Sequence, residues 1–565
     1  MLPGEGRNRV IIEGVAPEID GGRFPIKRII GDQVVVEADI ATDGHDVISC
    51  ALLYRREVDA EWTEAPMEPL GNDRWRGIFT VREIGRCRYT VRAWVDHFKT
   101  WARDLGKRVQ AGQDVTVDLL IGAEMVEAAS RAANPPYQGW LASFAEGLRA
   151  GGAGATQQAL SAELARLMAR HGERRYATTC DRELAVVVDR ERARFGAWYE
   201  LFPRSCAGEP GRHGTFRDVE ERLPYVASMG FDVLYLPPIH PIGRSFRKGR
   251  NNSTVAAPED PGSPWAIGAA EGGHKAVHPQ LGTLEDFRRL VQRAREYDLE
   301  LAMDIAFQCA PDHPYVTEHP EWFRRRPDGT IQYAENPPKK YQDIYPFDFE
   351  TEQWRELWDE LKSVVQFWVD QGVCIFRVDN PHTKPFTFWE WLITAIKRDY
   401  PEALFLAEAF TRPKVLYRLA KLGFTQSYNY FAWRNTKWEL TQYLTELTQT
   451  QVREFFGANL WPNTPDILPE YLQFGGRPAH LARLILAATL GPTYGIYGPA
   501  YELCENRPLA PGREEYLDSE KYEIKTWDID RPDSLRRLIG RVNQIRRDNP
   551  AFRANHNLRF HEVDN

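Results

Sequence analysis

Long apolar runs, basic tracts and paired cysteines are all scarce in this chain, and each absence removes a class of protein. No run of about 18 apolar residues occurs, so a membrane-spanning helix is not expected. The N-terminus, Met1-Leu2-Pro3-Gly4-Glu5-Gly6, lacks a basic stretch followed by an apolar core and does not read as a secretory signal. The seven cysteines (50, 87, 180, 206, 309, 374 and 504) are scattered and include no C-x-x-C pair. That disfavours disulfides and zinc and fits a reducing, cytoplasmic compartment. Neither a metal nor an organic cofactor is expected. Net charge is -8, without a long basic tract, which argues against nucleic acid as a partner.

What is present points elsewhere. A chain of 565 residues calls for several domains, and 43% hydrophobic content is enough for sizeable cores. The 17 tryptophans matter more, because flat aromatic faces suit sugar rings.

Residues 1–112 read as a small β-sandwich, with strands near Val34–Val36, Val47–Tyr54, Trp75–Phe79 and Tyr89–Val95. Residues 113–193 read as a helical module, with helices near Leu119–Ala133, Tyr137–Leu148, Gln158–Arg170 and Arg182–Arg194. From 194 to 555 strands and helices alternate, which predicts an α/β (β/α)8 barrel. Its strand candidates are Trp198–Phe202, Val233–Leu236, Leu301–Ile305, Ile375–Asp379, Phe405–Glu408, Phe455–Asn459 and Thr493–Tyr497. Two long rim insertions, about 238–279 and 307–349, are rich in Gly, Pro, Asn and His, as functional loops often are. Residues 556–565 look like the start of a further β-domain that is cut short.

Two carboxylates close apolar strand candidates: Asp379 after Val373-Cys374-Ile375-Phe376-Arg377-Val378, and Glu408 after Leu404-Phe405-Leu406-Ala407. Strand carboxyl ends are where barrels do chemistry, and two neighbouring carboxylates can break a glycosidic bond. Arg377, two residues before Asp379, shares its strand face and favours an ionised nucleophile. Burial would keep Glu408 protonated, ready to donate to a leaving group. Taken alone, the Arg377–Asp379 pair fits a strand-capping ion pair equally well. Asp466, in Asn463-Thr464-Pro465-Asp466, adds a third acid at the same rim.

The ordered set Asp304 with Gln308, Arg377-x-Asp379, Glu408 and Asp466 resembles glycoside hydrolase family 13, the α-amylase superfamily. The resemblance implies a retaining mechanism with Asp379 as nucleophile, Glu408 as acid/base and Asp466 on sugar hydroxyls. The two reacting carboxyls would then lie roughly 5–5.5 Å apart. Gln308-Cys309 and Pro465 stand where amylases usually carry Asn-His and His, which puts the calcium and sugar contacts of amylases in doubt. These departures, with Leu236–Gly243, Phe246–Gly249, Glu335–Asp343, Asp379–Pro385, Asn463–Leu468 and Ser519–Tyr522, resemble the maltosyltransferase branch. That branch moves maltose from α-maltose 1-phosphate to α-1,4-glucan.

The resemblance implies that Lys248, Gln308, Asp343, Asn380, Lys521 and Tyr522 contact the donor. A phosphate group needs cations and neutral donors, for which Asn336, Lys339 and Tyr341, with Asn380, are the candidates. The resemblance also implies a homodimer built by the N-terminal domain and helical module. Competing readings are an α-glucan hydrolase and a non-catalytic glucan-binding protein. Trp461 and Tyr430 are candidate sugar platforms; Trp368, Trp389 and Trp391 read as core. Asp304 reads as support for Arg377. His240 and His278 lie in rim loops, where a contact to sugar hydroxyls and a satisfied loop histidine fit about equally; His382 is the better sugar-contact candidate.

Overall fold

The computed structural model describes residues 6–563, and the chain divides into two compact units, Met1–Val188 and Asp189–Asn565. The larger unit is an eight-stranded parallel sheet rolled into a barrel. Its strands are β1 (Gly196–Glu200), β2 (Val233–Leu236), β3 (Glu300–Ile305), β4 (Ile375–Val378), β5 (Leu404–Ala407), β6 (Gln426–Ser427), β7 (Asn459–Leu460) and β8 (Thr493–Tyr497). They neighbour one another in the order 6-5-4-3-2-1-8-7. A parallel bridge between Ser427 and Ala458 closes the ring, with Ser427 N–H donating to the Gly457 carbonyl at 2.8 Å.

Strands covered on both faces need continuous apolar runs, and β2, β4, β5 and β8 are buried along their whole lengths. Helices return the chain between strands. Leu284–Glu296 starts in a capping box, in which Thr283 and Asp286 satisfy each other's backbone N–H groups. Trp368 and Trp389 are fully buried in the helical layer, as expected of core residues.

Two barrel strands depart from expectation. β6 is two residues long and was not anticipated. Phe455–Asn459 is not a continuous strand: Phe455 and Phe456 are buried outside any strand, Ala458 makes only the bridge to Ser427, and Asn459 pairs, with Leu460, in β7. Aromatic burial there serves packing rather than pairing.

In the smaller unit, Gln33–Thr42 alternates buried and exposed residues over most of its length, the pattern of a sheet with one wet face. It pairs antiparallel with Val10–Ala16 and Arg74–Thr80. A second sheet is built around Ile48–Arg56 and Gly85–Val95. Tyr54 and Phe79 stack between the two sheets, ring centroids 4.6 Å apart. Gly77 permits the close approach, since a Cβ there would sit 2.9 Å from Leu52 Cβ.

The helices begin earlier than position 113. His97–Gln110 is already helical, its start capped by the Asp96 side chain accepting from Lys99 N–H. It shares one apolar core with Thr116–Ala132, Tyr137–Ala150, Gly152–Ala159 and Ala162–His171. The expected helix Arg182–Arg194 is instead strand Leu184–Asp189, with Leu184 opposite Tyr89. The run Val186-Val187-Val188 is β-branched and prefers a pleated, packed surface. Residues 556–563 carry no strand, and the last two residues of that expected segment lie outside the described ones.

Candidate active site

The register of the barrel brings the acids together. Asp304 on β3 lies opposite Arg377 on β4, and Val378 opposite Ala407 on β5. The ladder runs one residue past each strand: Asp379 N–H donates to the Ile305 carbonyl (2.9 Å) and Glu408 N–H to the Val378 carbonyl (3.0 Å). Asp379 and Glu408 are thereby held by main chain on adjacent strands at the same rim.

One guanidinium links them. Arg377 Nη1 donates to Asp304 Oδ2 and Asp379 Oδ1, each at 2.9 Å, and Nη2 lies 3.2 Å from Glu408 Oε1. The four side chains are between 0% and 13% exposed. Tyr235 supports the far side, its hydroxyl donating to Asp304 Oδ2 at 2.6 Å. The rings of Tyr235 and Tyr428 each lie 5.8 Å from the guanidinium carbon. Burial pushes the Glu408 carboxyl well above the ordinary carboxylate range, against the pull of Arg377. Burial does the same to Asp304. Arg377 stays charged: its acid partners outweigh the desolvation that opposes them. A protonated Glu408 beside Asp379 can donate a proton on one side of a bond while the other carboxylate attacks.

Asp466 follows β7 and is half exposed, its Oδ1 2.5 Å from Lys521 Nζ. The Lys521 ammonium lies 4.8 Å from the centre of the Trp265 ring. Trp265 also donates its indole N–H to Asp304 Oδ2 (3.3 Å), and its carbonyl accepts from Gln308 Nε2 (3.2 Å). It thus connects the Arg377 cluster to Asp466 and Gln308. Asp343 and Lys248 are nearly inaccessible. Burial raises the Asp343 carboxyl, while Lys248 and Lys521 act on it in the opposite sense. Lys248 Nζ reaches the Lys340 carbonyl at 3.4 Å. Burial raises the Tyr522 hydroxyl, with Lys521 acting in the opposite sense and Asp466, Asp343 and Tyr341 adding to the rise. Asn380 extends from the Asp379 turn, its main-chain N–H donating to Glu408 Oε2 (3.2 Å) and its amide reaching Asp379 Oδ2 (3.5 Å).

The remaining phosphate candidates sit differently. Asn336 opposes Lys339 in the hairpin Ala334–Asn336/Lys339–Tyr341, and both are exposed. Lys339 Nζ lies 3.1 Å from Glu515 Oε1 rather than on an acid of the Arg377 cluster.

Packing and hydrogen bonding decide several of the remaining readings. Trp461 is 3% exposed and stacked on Tyr428, so it presents no sugar platform. Tyr430 spends its hydroxyl on the Thr411 carbonyl and packs on Trp433. His240 is buried and bonded to the Ala276 carbonyl, and His278 stacks on His213, so both fit the reading of satisfied loop histidines. Tyr235, Trp265 and Tyr428 were not anticipated. Tyr235 was detectable as a polar-tipped aromatic inside an otherwise apolar strand, whereas Trp265 lies in an irregular loop with no periodic signal.

Among the described residues, His274, Cys309 and His313 bring possible metal-ligating atoms within 4.8 Å of one another. Hydrogen bonds account for the two histidines otherwise. Tyr315 N–H donates to His313 Nδ1 (3.0 Å), so His313 carries its proton on Nε2 and donates to His274 Nδ1 (3.0 Å). His274 Nε2–H then donates to the Ala306 carbonyl (3.0 Å). Both ring lone pairs are used, and burial lowers His274 to about 4 and His313 to about 2. The two histidines form a neutral strut for the loop after β3, with the buried Cys309 thiol beside them.

A closed parallel barrel with acids gathered on one arginine at its carboxyl rim is the arrangement of an α-amylase-type catalytic domain. The comparisons agree and go further. Residues 200–359 match the family model for the alpha amylase catalytic domain, and residues 8–190 match that for alpha-1,4-glucan:maltose-1-phosphate maltosyltransferase, domain N/S. The chain is 57% identical over 563 residues to the alpha-1,4-glucan:maltose-1-phosphate maltosyltransferase of Chlorobaculum tepidum, covering 100% of this chain and 84% of that protein. It is 53% identical to that of Methylacidiphilum infernorum, covering 100% and 85%. An alpha-amylase from Lactobacillus plantarum shares the fold at TM-score 0.50 and 23% identity, over 65% of this chain and 82% of that one. This chain belongs to the alpha-1,4-glucan:maltose-1-phosphate maltosyltransferase family.

Proposed function

We propose that this protein transfers maltosyl units from α-maltose 1-phosphate to the non-reducing end of α-1,4-glucans, releasing phosphate. The observation that carries the reading is the single Arg377 guanidinium holding Asp379 and Glu408 at the ends of adjacent strands, in a chain of this family. In the first step the Asp379 carboxylate attacks C1 of the donor. The C1–O bond to phosphate breaks, and Glu408 supplies a proton to the departing oxygen. In the second step the acceptor hydroxyl oxygen attacks C1, Glu408 takes its proton, and the ester bond to Asp379 breaks. Two inversions give net retention.

Asp466, Lys248, Gln308, Asp343, Lys521 and Tyr522 would hold the maltosyl unit, with Asn380, Asn336, Lys339 and Tyr341 at the phosphate. Burial leaves Glu408 protonated at a pH where an ordinary carboxylate is ionised, which suits alternating donation and acceptance. No helix among the described residues is long and apolar enough to cross a membrane. The scattered cysteines support a cytoplasmic site of action, and the family resemblance supports a homodimer.

Phosphate release from α-maltose 1-phosphate, with and without maltohexaose, tests the reading. Acceptor-dependent release and chains lengthened by two glucose units, both abolished in Asp379→Ala, are expected. Shortening of maltohexaose without phosphate release would replace the transferase with a hydrolase.

A further inference from the structure

Lys384 is not among the residues assigned above, yet it lies under the reacting acids. The chain after Asp379 makes an abrupt turn. Asn380 adopts the left-handed conformation (φ 42°, ψ 53°), and Pro381–Thr383 form a single 3-10 turn. Non-glycine residues enter that region only when their surroundings hold them there, asparagine more readily than most. Here the reward is visible: the left-handed backbone points the Asn380 N–H at Glu408 Oε2 (3.2 Å). The same turn therefore fixes the Asp379 main chain and hydrogen-bonds the partner carboxyl.

What holds the turn is a set of donors on its carbonyls. Thr383 Oγ1 donates to the Asn380 carbonyl (2.8 Å), and the Trp389 indole N–H to the Pro381 carbonyl (2.8 Å). Lys384 Nζ donates to the carbonyls of both Asp379 (3.4 Å) and Asn380 (3.3 Å). These are long contacts to neutral acceptors for an ammonium. The charges facing it are Asp304 from β3, Arg377 from β4, Asp379 at its end and Glu408 at the end of β5, with His382 on its own turn. Arg377 from within the barrel and Lys384 from the turn both act on these acids, and buried Glu200 on β1 and Lys521 act on the same cluster.

We propose that Lys384 is a positioning residue: its ammonium clamps the left-handed turn that fixes Asp379 and hydrogen-bonds Glu408, and adds a positive charge beside both acids. It touches neither reacting atom. The inference rests on the reading of Asp379 and Glu408 as the reacting carboxylates, but not on the identity of the leaving group.

The test uses α-maltosyl fluoride, whose fluoride release reports formation of the maltosyl–enzyme bond without a phosphate. In Lys384→Met, kcat should fall roughly 10- to 100-fold, the range expected when aligned groups shift by a fraction of an ångström to an ångström. Removing a facing cation also makes both acids harder to ionise. The limb that needs an ionised carboxylate and the limb that needs a protonated one should therefore both move to higher pH, by about 0.5–1 unit. Lys384→Arg should restore most of the rate and the original limbs.

A merely structural lysine would lower the amplitude and leave the limbs in place, and that result overturns the proposal. So does a wild-type rate and profile in Lys384→Met. Should the methionine variant fail to fold, Lys384→Gln keeps a donor without the charge and carries the same pH comparison. Fluoride release by the wild type without phosphate release from α-maltose 1-phosphate would sink the donor reading alone and leave this test standing. Fluoride release that persists in Asp379→Ala would sink the assignment on which both rest.

Discussion

The two parts of the barrel rim are built to different specifications. Around Arg377, acids are buried, bonded to one guanidinium and held by ladder hydrogen bonds of β3, β4 and β5. At the hairpin Ala334–Asn336/Lys339–Tyr341, Asn336 and Lys339 are exposed and Lys339 is paired with the partly exposed Glu515. The first arrangement is expensive to disturb, because breaking a buried ion pair leaves an uncompensated charge. The second is cheap, because an exposed pair contributes only about 0–1 kcal/mol. Chemistry that must be aimed sits on strands. Recognition of a charged, hydrated group sits where a lysine can exchange one anion for another.

The largest way to break that contrast is at its centre. Arg377→Met should abolish transfer and destabilise the protein by about 3–5 kcal/mol, as expected when one partner of a buried pair is removed. The destabilisation should be smaller at mildly acidic than at alkaline pH. Burial already favours protonation of Asp304 and Glu408, and without Arg377 the folded state takes up those protons more readily still. Melting curves at the two pH values check this; equal losses would mean that the acids do not depend on the guanidinium.

Glu408→Gln should separate the two half-reactions. The glutamine cannot move a proton, and removing general acid–base catalysis costs typically 10²- to 10⁴-fold. Phosphate and fluoride leave with less help than an acceptor hydroxyl needs to attack, so the loss should be greater in acceptor-dependent transfer than in fluoride release from α-maltosyl fluoride. In the wild type, the limb that requires a protonated Glu408 should lie above the ordinary carboxylate range, and it should vanish in the variant. A limb that persists unchanged assigns the proton to another group.

Legibility in the sequence follows the same division. Asp379 and Glu408 stood out because each closes an apolar run, and a parallel strand is an apolar run. β8 was readable over Thr493–Tyr497 for that reason. β6 was not, because two residues show no period. Leu184–Asp189 was mistaken for helix because its charged flanks mimic helix ends, and its partner, Gly85–Val95, lies far away in sequence. Trp265 was invisible: it acts through a loop whose course is set by tertiary contacts with Asp304, Gln308 and Lys521. The platform role suggested for Trp461 failed because position near a strand end says nothing of which way a ring packs.

The exposed hairpin supplies the smaller effects and sharpens the contrast. Lys339→Met should leave the melting temperature nearly unchanged, since the pair it loses is about half and a third exposed (49% and 36%). It should raise KM for α-maltose 1-phosphate about 10-fold, the worth of one hydrogen bond to a charged group, and leave KM for maltohexaose alone. Added salt should narrow the difference between variant and wild type, because an exposed charge is screened. Glu515→Gln is the finer probe. If Glu515 competes with the donor phosphate for Lys339, neutralising it should lower KM for the donor about two- to threefold, within the small range of exposed pairs. If Glu515 instead holds Lys339 in place for the phosphate, KM should rise. A rise would mean that even the exposed side of this rim is set up in advance, and the division between a built centre and an exchangeable edge would have to be given up.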